Sequence, residues 1–394
     1  MKNIYLDNAA ATPVDSRVIS AMNAAARLAG NPSAFNDAGR AARQALEAAR
    51  TLIARFLNAR SMEVVFTASG SEANNLALRG ALSRMKKPVV LTTPIEHPSV
   101  LEALAHTHAR LAHVPVDRLG QVHITDIQKL LEKEKPDLVS IMYANNEIGT
   151  IQPIAKIGKA IREYAKRTGR RVLFHTDACQ AAGVMDMDVQ RLGVDLLTFN
   201  GSKIYGPRGI GVTFIRRGTP MTGIVFGGSQ EYGLRAGTEN LPAIAGLAKA
   251  AEIIKPSGNK KIAKLRNRMI GLIKRDLPEA VISGPEGDAR LPNNIHVSLP
   301  DLESEIVLVE LDKYGIYAGS GSACTSHAVE PSHVLKAIGV PPRYINGGLR
   351  FSLGRQTTAA DVDYTVKTLA KVIKELRKRY GIAYPSDASI RLRS

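Results

Sequence analysis

Four reactive residue types stand beside turn-forming or small neighbours, where an apolar run ends or a loop begins. Lys203 lies in NGSKIYGPRGIG, just after the run DLLTFN and just before a turn set by Gly206 and Pro207. A lysine desolvated there can form a Schiff base with an aldehyde cofactor, although most lysines are simply solvated. Asp177 closes the run RVLFHTD, within HTDACQ. A buried carboxylate needs a partner for its charge. A protonated pyridine nitrogen in an electron-sink cofactor is one such partner; a helix N-cap is the alternative reading. His97, after Glu96 where PVVLTT ends, could stack on a flat cofactor and shuttle protons, or be structural. Cys324 sits in AGSGSACTSHAVEPSHVL, a Gly/Ser-rich stretch without core periodicity. Free cysteines are commonly buried as small hydrophobes. These surroundings instead predict an exposed, mobile loop, which suits a reactive thiol. Cys179 reads as a structural cysteine at a strand end.

A fifth segment, TASGSEANN, could receive a phosphate. Small residues turn the chain, a helix is expected to start at Ser71 or Glu72, and Gly70 admits close backbone approach. An ordinary N-cap at Ser71 would read the same.

The elements that must position these residues are legible from Val64 to Arg216. Short apolar runs (EVVFT, PVVLTT, LAHVPV, DLVSIMY, RVLFHTD, DLLTFN, GIGVTFI) alternate with amphipathic stretches such as SEANNLALRGALSRM and PIAKIGKAIREYAKRTG. This alternation predicts an α/β fold, a mostly parallel seven-stranded sheet covered on both faces. Ligands on such sheets bind beyond the strand ends, where the flagged residues fall. After about Lys255 the texture changes to helix NKKIAKLRNRMIGLIKRDL, strands near NNIHVSL, GIYAG and LRFSL, and a closing helix. The expected division is a large cofactor-binding domain over 13–255 and a smaller C-terminal α/β domain over 256–394, joined by the segment 1–12.

The 394 residues are 44% hydrophobic and 23% charged, which excludes a disordered chain. No run is long and apolar enough to span a membrane, and the N-terminus lacks a signal-peptide core. Two cysteines give neither a disulfide framework nor a zinc site, and no metal site is expected. A reducing, cytoplasmic compartment fits. The formal charge of +17 reads either as a solvated basic surface or as contact with tRNA or an acidic protein.

Taken together, the segments resemble the NifS/IscS-type cysteine desulfurases, a branch of the class-V aminotransferase-like enzymes of PLP fold type I. The likeness runs nearly end to end, through YLDNAAATP, GNPS, EVVFT, SEANNLALRG, IEHPSV, NNEIGTIQP, HTDACQ, KIYGPRGIG, LRAGTEN, LPNNIHVS, GSACTS and LRFSLGR. It implies pyridoxal 5'-phosphate as cofactor and conversion of L-cysteine to L-alanine. Lys203 then resembles the Schiff-base lysine. Asp177 would pair with the pyridine nitrogen, Gln180 with the phenolic oxygen, and His97 would stack on the ring. Asn146 would sit near ring and substrate. Gly70, Ser71, Asn200, Ser202 and, from the other subunit of a homodimer, Thr238 would surround the phosphate. Arg350, assisted by Asn31, would grip the substrate carboxylate. Cys324 matches the persulfide cysteine and could transiently ligate a [2Fe-2S] cluster. The sulfur would pass to an iron–sulfur scaffold or a tRNA-thiolation protein.

The chain departs from that pattern in places. Asn200-Gly201-Ser202-Lys203 stands where Ser-Gly-His-Lys is usual, so a hydroxyl replaces a phosphate-binding imidazole and brings no positive charge. Gly70-Ser71 replaces Ala-Thr, Asn36 a common His, and Gly347-Gly348 a serine pair. A selenocysteine lyase would use the same constellation. A plain aminotransferase would not need Cys324, and a non-catalytic sulfur-carrier or nucleic-acid-binding protein would leave Lys203 and Asp177 idle.

Overall fold

The computed structural model describes residues 3–254, 259–321 and 331–383. Its centre is a seven-stranded sheet. The spatial order is Val64–Thr67, Gly211–Ile215, Leu196–Asn200, Leu173–Asp177, Leu138–Ser140, Val89–Thr92, Arg110–His113. Gly211–Ile215 runs antiparallel to both neighbours; the other pairings are parallel. All seven apolar runs thus contribute strands to one sheet, although Leu138–Ser140 keeps only 3 residues of its run DLVSIMY.

Alternation along each strand feeds two cores. Val64 and Phe66 pack on one face with Leu197 and Phe199. Val65 and Leu196 pack on the other with Leu76 and Val90. Burial on both faces is why these strands read as continuous apolar runs rather than alternating ones. The helix Ile154–Thr168 ends on Gly169 at φ 70°, the left-handed cap its sequence predicts. Asn36 caps the helix Asp37–Leu57 by accepting the Gly39 N–H at 2.8 Å.

A second, four-stranded antiparallel sheet orders Gly319–Ser320, Gly348–Ser352, Asn294–Ser298 and Val281–Ser283. The helices Asn259–Asp276 and Ala359–Tyr380 share a core with it. The segment GIYAG is not one strand. Ile316–Tyr317 pairs in parallel with Ile4–Tyr5, and Gly319–Ser320 pairs with the strand carrying Arg350. The N-terminal segment therefore joins this second core through Ile4 and Leu6, then crosses to the large sheet.

Candidate active site

The large sheet delivers Asp177 and Lys203 at the ends of neighbouring strands. Asp177 ends its strand and is 6% exposed. Its Oδ1 accepts the Cys179 N–H at 2.9 Å, and its Oδ2 accepts from Asn74 Nδ2 at 2.8 Å. It is a strand-end carboxylate held from two sides, not a helix cap. The other Asn74 N–H reaches Ser99 Oγ at 2.9 Å, and Asn74 Oδ1 accepts from Thr198.

Ser99 in turn faces His97. Its backbone N–H donates to His97 Nδ1 at 3.1 Å, and its hydroxyl lies 2.8 Å from the same nitrogen. With Nδ1 accepting, neutral His97 carries its proton on Nε2. Burial lowers the His97 pKa; the Asp177 charge opposes this, while Lys203 and His333 reinforce it.

Lys203 ends a short turn, Gly201–Lys203, that follows the strand Leu196–Asn200. Its Nζ donates to the Ala10 carbonyl at 2.5 Å. Thr12 binds the same turn, accepting the Tyr205 N–H at 2.7 Å and donating its own N–H to the Ser202 carbonyl at 2.8 Å. Gln180 Nε2 donates to the Ala9 carbonyl at 3.0 Å. Arg350 Nη2 meets Asp7 Oδ1 at 2.9 Å, and its Nη1 donates to the Asn146 carbonyl at 3.2 Å. Asp7, Ala9 and Ala10 thus contact three of the residues singled out in the sequence. The resemblance quoted that segment, but nothing in its residue types shows these contacts.

The helix expected at Ser71 or Glu72 begins at Gly70, and Ser69 is its cap, accepting the Glu72 N–H at 3.0 Å. In the run Ser-Gly-Ser either serine can cap, so residue type does not decide. Ser71 is exposed on the first turn. Gly70 is required by proximity: a Cβ there would lie 2.7 Å from Asn200 Nδ2 and 3.0 Å from Cys179 Sγ. Ser69, Gly70, Asn200, Ser202 and Arg208 line a cleft of about 180 Å³. Ser202 Oγ donates to Asn200 Oδ1 at 3.0 Å. Arg208 was not singled out in the sequence; it brings to this cleft the positive charge that Ser202 lacks.

Three residues lie apart. Thr238 lines a neighbouring cavity of about 120 Å³ with Arg235 and Glu239. Asn31 is exposed, and its side chain accepts the Ser33 N–H at 2.9 Å. Cys324 lies outside the described residues. Among the described residues no His, Cys, Asp and Glu group could hold a metal ion.

The model of the aminotransferase class-V family matches residues 4–365. This chain belongs to the class-V aminotransferase family. It is 42% identical over 386 residues to the cysteine desulfurase IscS of Dictyoglomus turgidum, covering 95% of this chain and 96% of that protein. It is 40% identical to the cysteine desulfurase IscS of Methanosarcina thermophila, covering 95% and 93%. Among solved structures, a NifS-like protein superposes with TM-score 0.87 at 35% identity, over 95% of this chain and all of that one. SspA in complex with cysteine gives 0.77 at 31% identity, over 90% and 100%. The fold is PLP fold type I, and the cofactor of this family member is pyridoxal 5'-phosphate.

The residues fit that group. The Gly70 cradle leaves room where a side chain would collide with Asn200, and Arg208 adds charge beside it. Asp177, Lys203 and His97 interact electrostatically across one site.

Proposed function

We propose that the protein is a cysteine desulfurase that converts L-cysteine to L-alanine and holds the sulfur as a persulfide on Cys324. The observation that carries this is the convergence of Lys203, Asp177 and His97 at one end of the large sheet, with Arg350 alongside Asn146. When bound, the cofactor withdraws electrons from the substrate's α-carbon.

The chain's own residues do the rest. Asp177, held by Asn74 and the Cys179 N–H, holds a proton on the ring nitrogen. Lys203 attaches the cofactor, and Gly70, Ser71, Asn200, Ser202 and Arg208 hold its phosphate. Gln180 faces the phenolic oxygen. Arg350 grips the substrate carboxylate, assisted by Asn146 and Asn31. His97 moves protons through Nε2. The Cys324 thiolate attacks the substrate sulfur. The C–S bond breaks, its electron pair stays on carbon, and a proton replaces sulfur to give alanine.

A homodimer is supported by Phe35 and Phe226, 90% and 83% exposed, and by exposed Thr238, which would complete the phosphate site of a second copy. We divide the chain into domains 13–255 and 256–394; the second core supports this reading, while Leu291 packs with the first core and Val334 and Tyr344 pack with Ile95 and Met142. The sulfur acceptor we favour is an iron–sulfur scaffold or a tRNA-thiolation protein, in the cytoplasm. No helix among the described residues is long and apolar enough to cross a membrane.

The test is a spectrum and a mass measurement. The purified protein should absorb as a pyridoxal-phosphate enzyme, change on addition of L-cysteine, and release alanine. Borohydride should fix the cofactor on the Lys203 peptide. Labelling of another lysine would overturn this assignment. Full activity in Cys324→Ala would favour a plain aminotransferase.

A further inference from the structure

Glu147 follows Asn146 and is buried, 3% exposed. Its backbone is fixed: Asn145 Oδ1 accepts the N–H of Glu147 at 2.9 Å and of Ile148 at 3.0 Å, and Asn294 Nδ2 donates to the Glu147 carbonyl at 3.0 Å. Ser332 Oγ donates to Glu147 Oε2 at 2.6 Å and accepts the Leu335 N–H at 3.2 Å, so it also caps the helix His333–Ala337. From the other side comes Gly321. A Cβ on that residue would stand 2.7 Å from the same Oε2, so a side chain there would press on the buried carboxylate. Of residues 321 and 332, which bracket Cys324 in sequence, Ser332 bonds this carboxylate oxygen and Gly321 packs beside it.

The neighbouring contact has the same sense. His333 Nε2 donates to the Glu96 carbonyl at 2.9 Å. The chain after Cys324 is therefore fastened to the residue before His97 and the residue after Asn146. The Asn146 carbonyl also receives Arg350, at 3.2 Å.

We propose that Glu147 is a positioning residue that anchors the C-terminal flank of the Cys324 segment to the site through Ser332, with Gly321 packed beside it, and that it governs sulfur transfer rather than cofactor or substrate binding. This rests on the desulfurase reading above. Burial raises the Glu147 pKa; the Ser332 bond and the charges of His333 and Arg350 act against it. Among the described residues none of Glu147's contacts reaches the phosphate cleft, so its loss should spare the cofactor.

The experiment uses holoenzyme carrying Glu147→Ala, Glu147→Gln or Ser332→Ala. L-cysteine titration followed by absorbance reads binding. Rapid quench with mass analysis reads persulfide on Cys324. Iodoacetamide labelling without substrate reads Cys324 reactivity. In Glu147→Ala and Ser332→Ala the titration midpoint should stay within about threefold, while persulfide formation slows about tenfold or more, as misplacement of a reacting group does. The labelling rate should change by about threefold or more. Glu147→Gln keeps an acceptor oxygen for Ser332 and should recover most of the transfer rate. Wild-type transfer and labelling in Glu147→Ala would overturn the proposal, as would equal losses in binding and transfer. Absence of persulfide in the wild type would instead overturn the desulfurase reading, and the labelling rates would then decide the anchor alone.

Discussion

Asn74 Nδ2 lies 2.8 Å from Asp177 Oδ2, deep beneath the site. The amide has two N–H groups, and the second goes to Ser99 Oγ at 2.9 Å. Both donors are used, so Asp177 must accept and Ser99 is left to turn its hydroxyl toward His97. One amide thereby holds the Asp177 carboxylate in place and leaves the His97 proton on Nε2. Removing it should loosen the cofactor. A hydrogen bond to a charged group contributes about 1.5–3 kcal/mol, so Asn74→Ala should raise the rate of cofactor loss on dialysis about tenfold. Ser99→Ala should change it little, because the residue-99 backbone N–H still donates to Nδ1. Equal effects of the two substitutions would refute the hierarchy.

Arg208 supports a second expectation. It shares the cleft with Asn200 and Ser202, and Ser202 offers only a neutral donor. Arg208→Gln should speed cofactor loss by about tenfold, the difference between a charge-assisted and a neutral bond. Ser202→His in that background should recover part of it. Retention unchanged in Arg208→Gln would show that the charge acts elsewhere.

What the sequence made legible follows physical lines. The seven strands could be read because burial on both faces makes each a short apolar run. Asp177 and Lys203 could be read because an acid and an amine at strand ends break those runs. Asn74 could not. In SEANNLALRG it is one polar residue on a helix, and its partners Asp177 and Thr198 lie more than a hundred positions away. Asp7 was hidden for the same reason, since its partner Arg350 is 343 positions distant. Residue types fix local chemistry; these long-range pairings appear only when the sheet closes.

Glu96 yields a pH expectation. Its Oε1 accepts from Thr93 at 2.7 Å and from the Met142 N–H at 2.9 Å, while Oε2 is buried and has no hydrogen-bond partner among the described residues. Burial pushes its pKa up from 4.5 to about 8, against those two bonds and with help from the Asp177 charge. The folded pKa is above the unfolded one. Its stabilising contribution is therefore complete below about pH 4.5 and is lost as pH rises through about 8. Glu96→Gln cannot ionise. Relative to wild type it should gain on the order of 4 kcal/mol between pH 5 and 9 in denaturant unfolding. Parallel pH profiles for the two proteins would show that Glu96 is not the titrating group.

The sharpest expectation separates the two cysteines. Cys179 follows Asp177 by two residues, and its own N–H is committed to that carboxylate at 2.9 Å. Its sulfur is wedged close to Gly70 and Asn200. Burial, then the Asp177 charge and a hydrogen bond to Asp177, push the thiol pKa well above its ordinary value. A thiol held protonated is a poor nucleophile, and one fixed beneath the Gly70 turn cannot travel to another protein. Cys324 stands in sequence among glycine and serine rather than two residues after a strand-end acid. Reaction with L-cysteine, alkylation and mass analysis should place the extra sulfur on the Cys324 peptide. Cys324→Ala should abolish sulfide release while leaving the cofactor spectrum intact, and Cys179→Ala should retain activity within about threefold, since it removes no group the transfer needs. Persulfide on Cys179, or sulfide release surviving the loss of Cys324, would move the sulfur-carrying step off that residue.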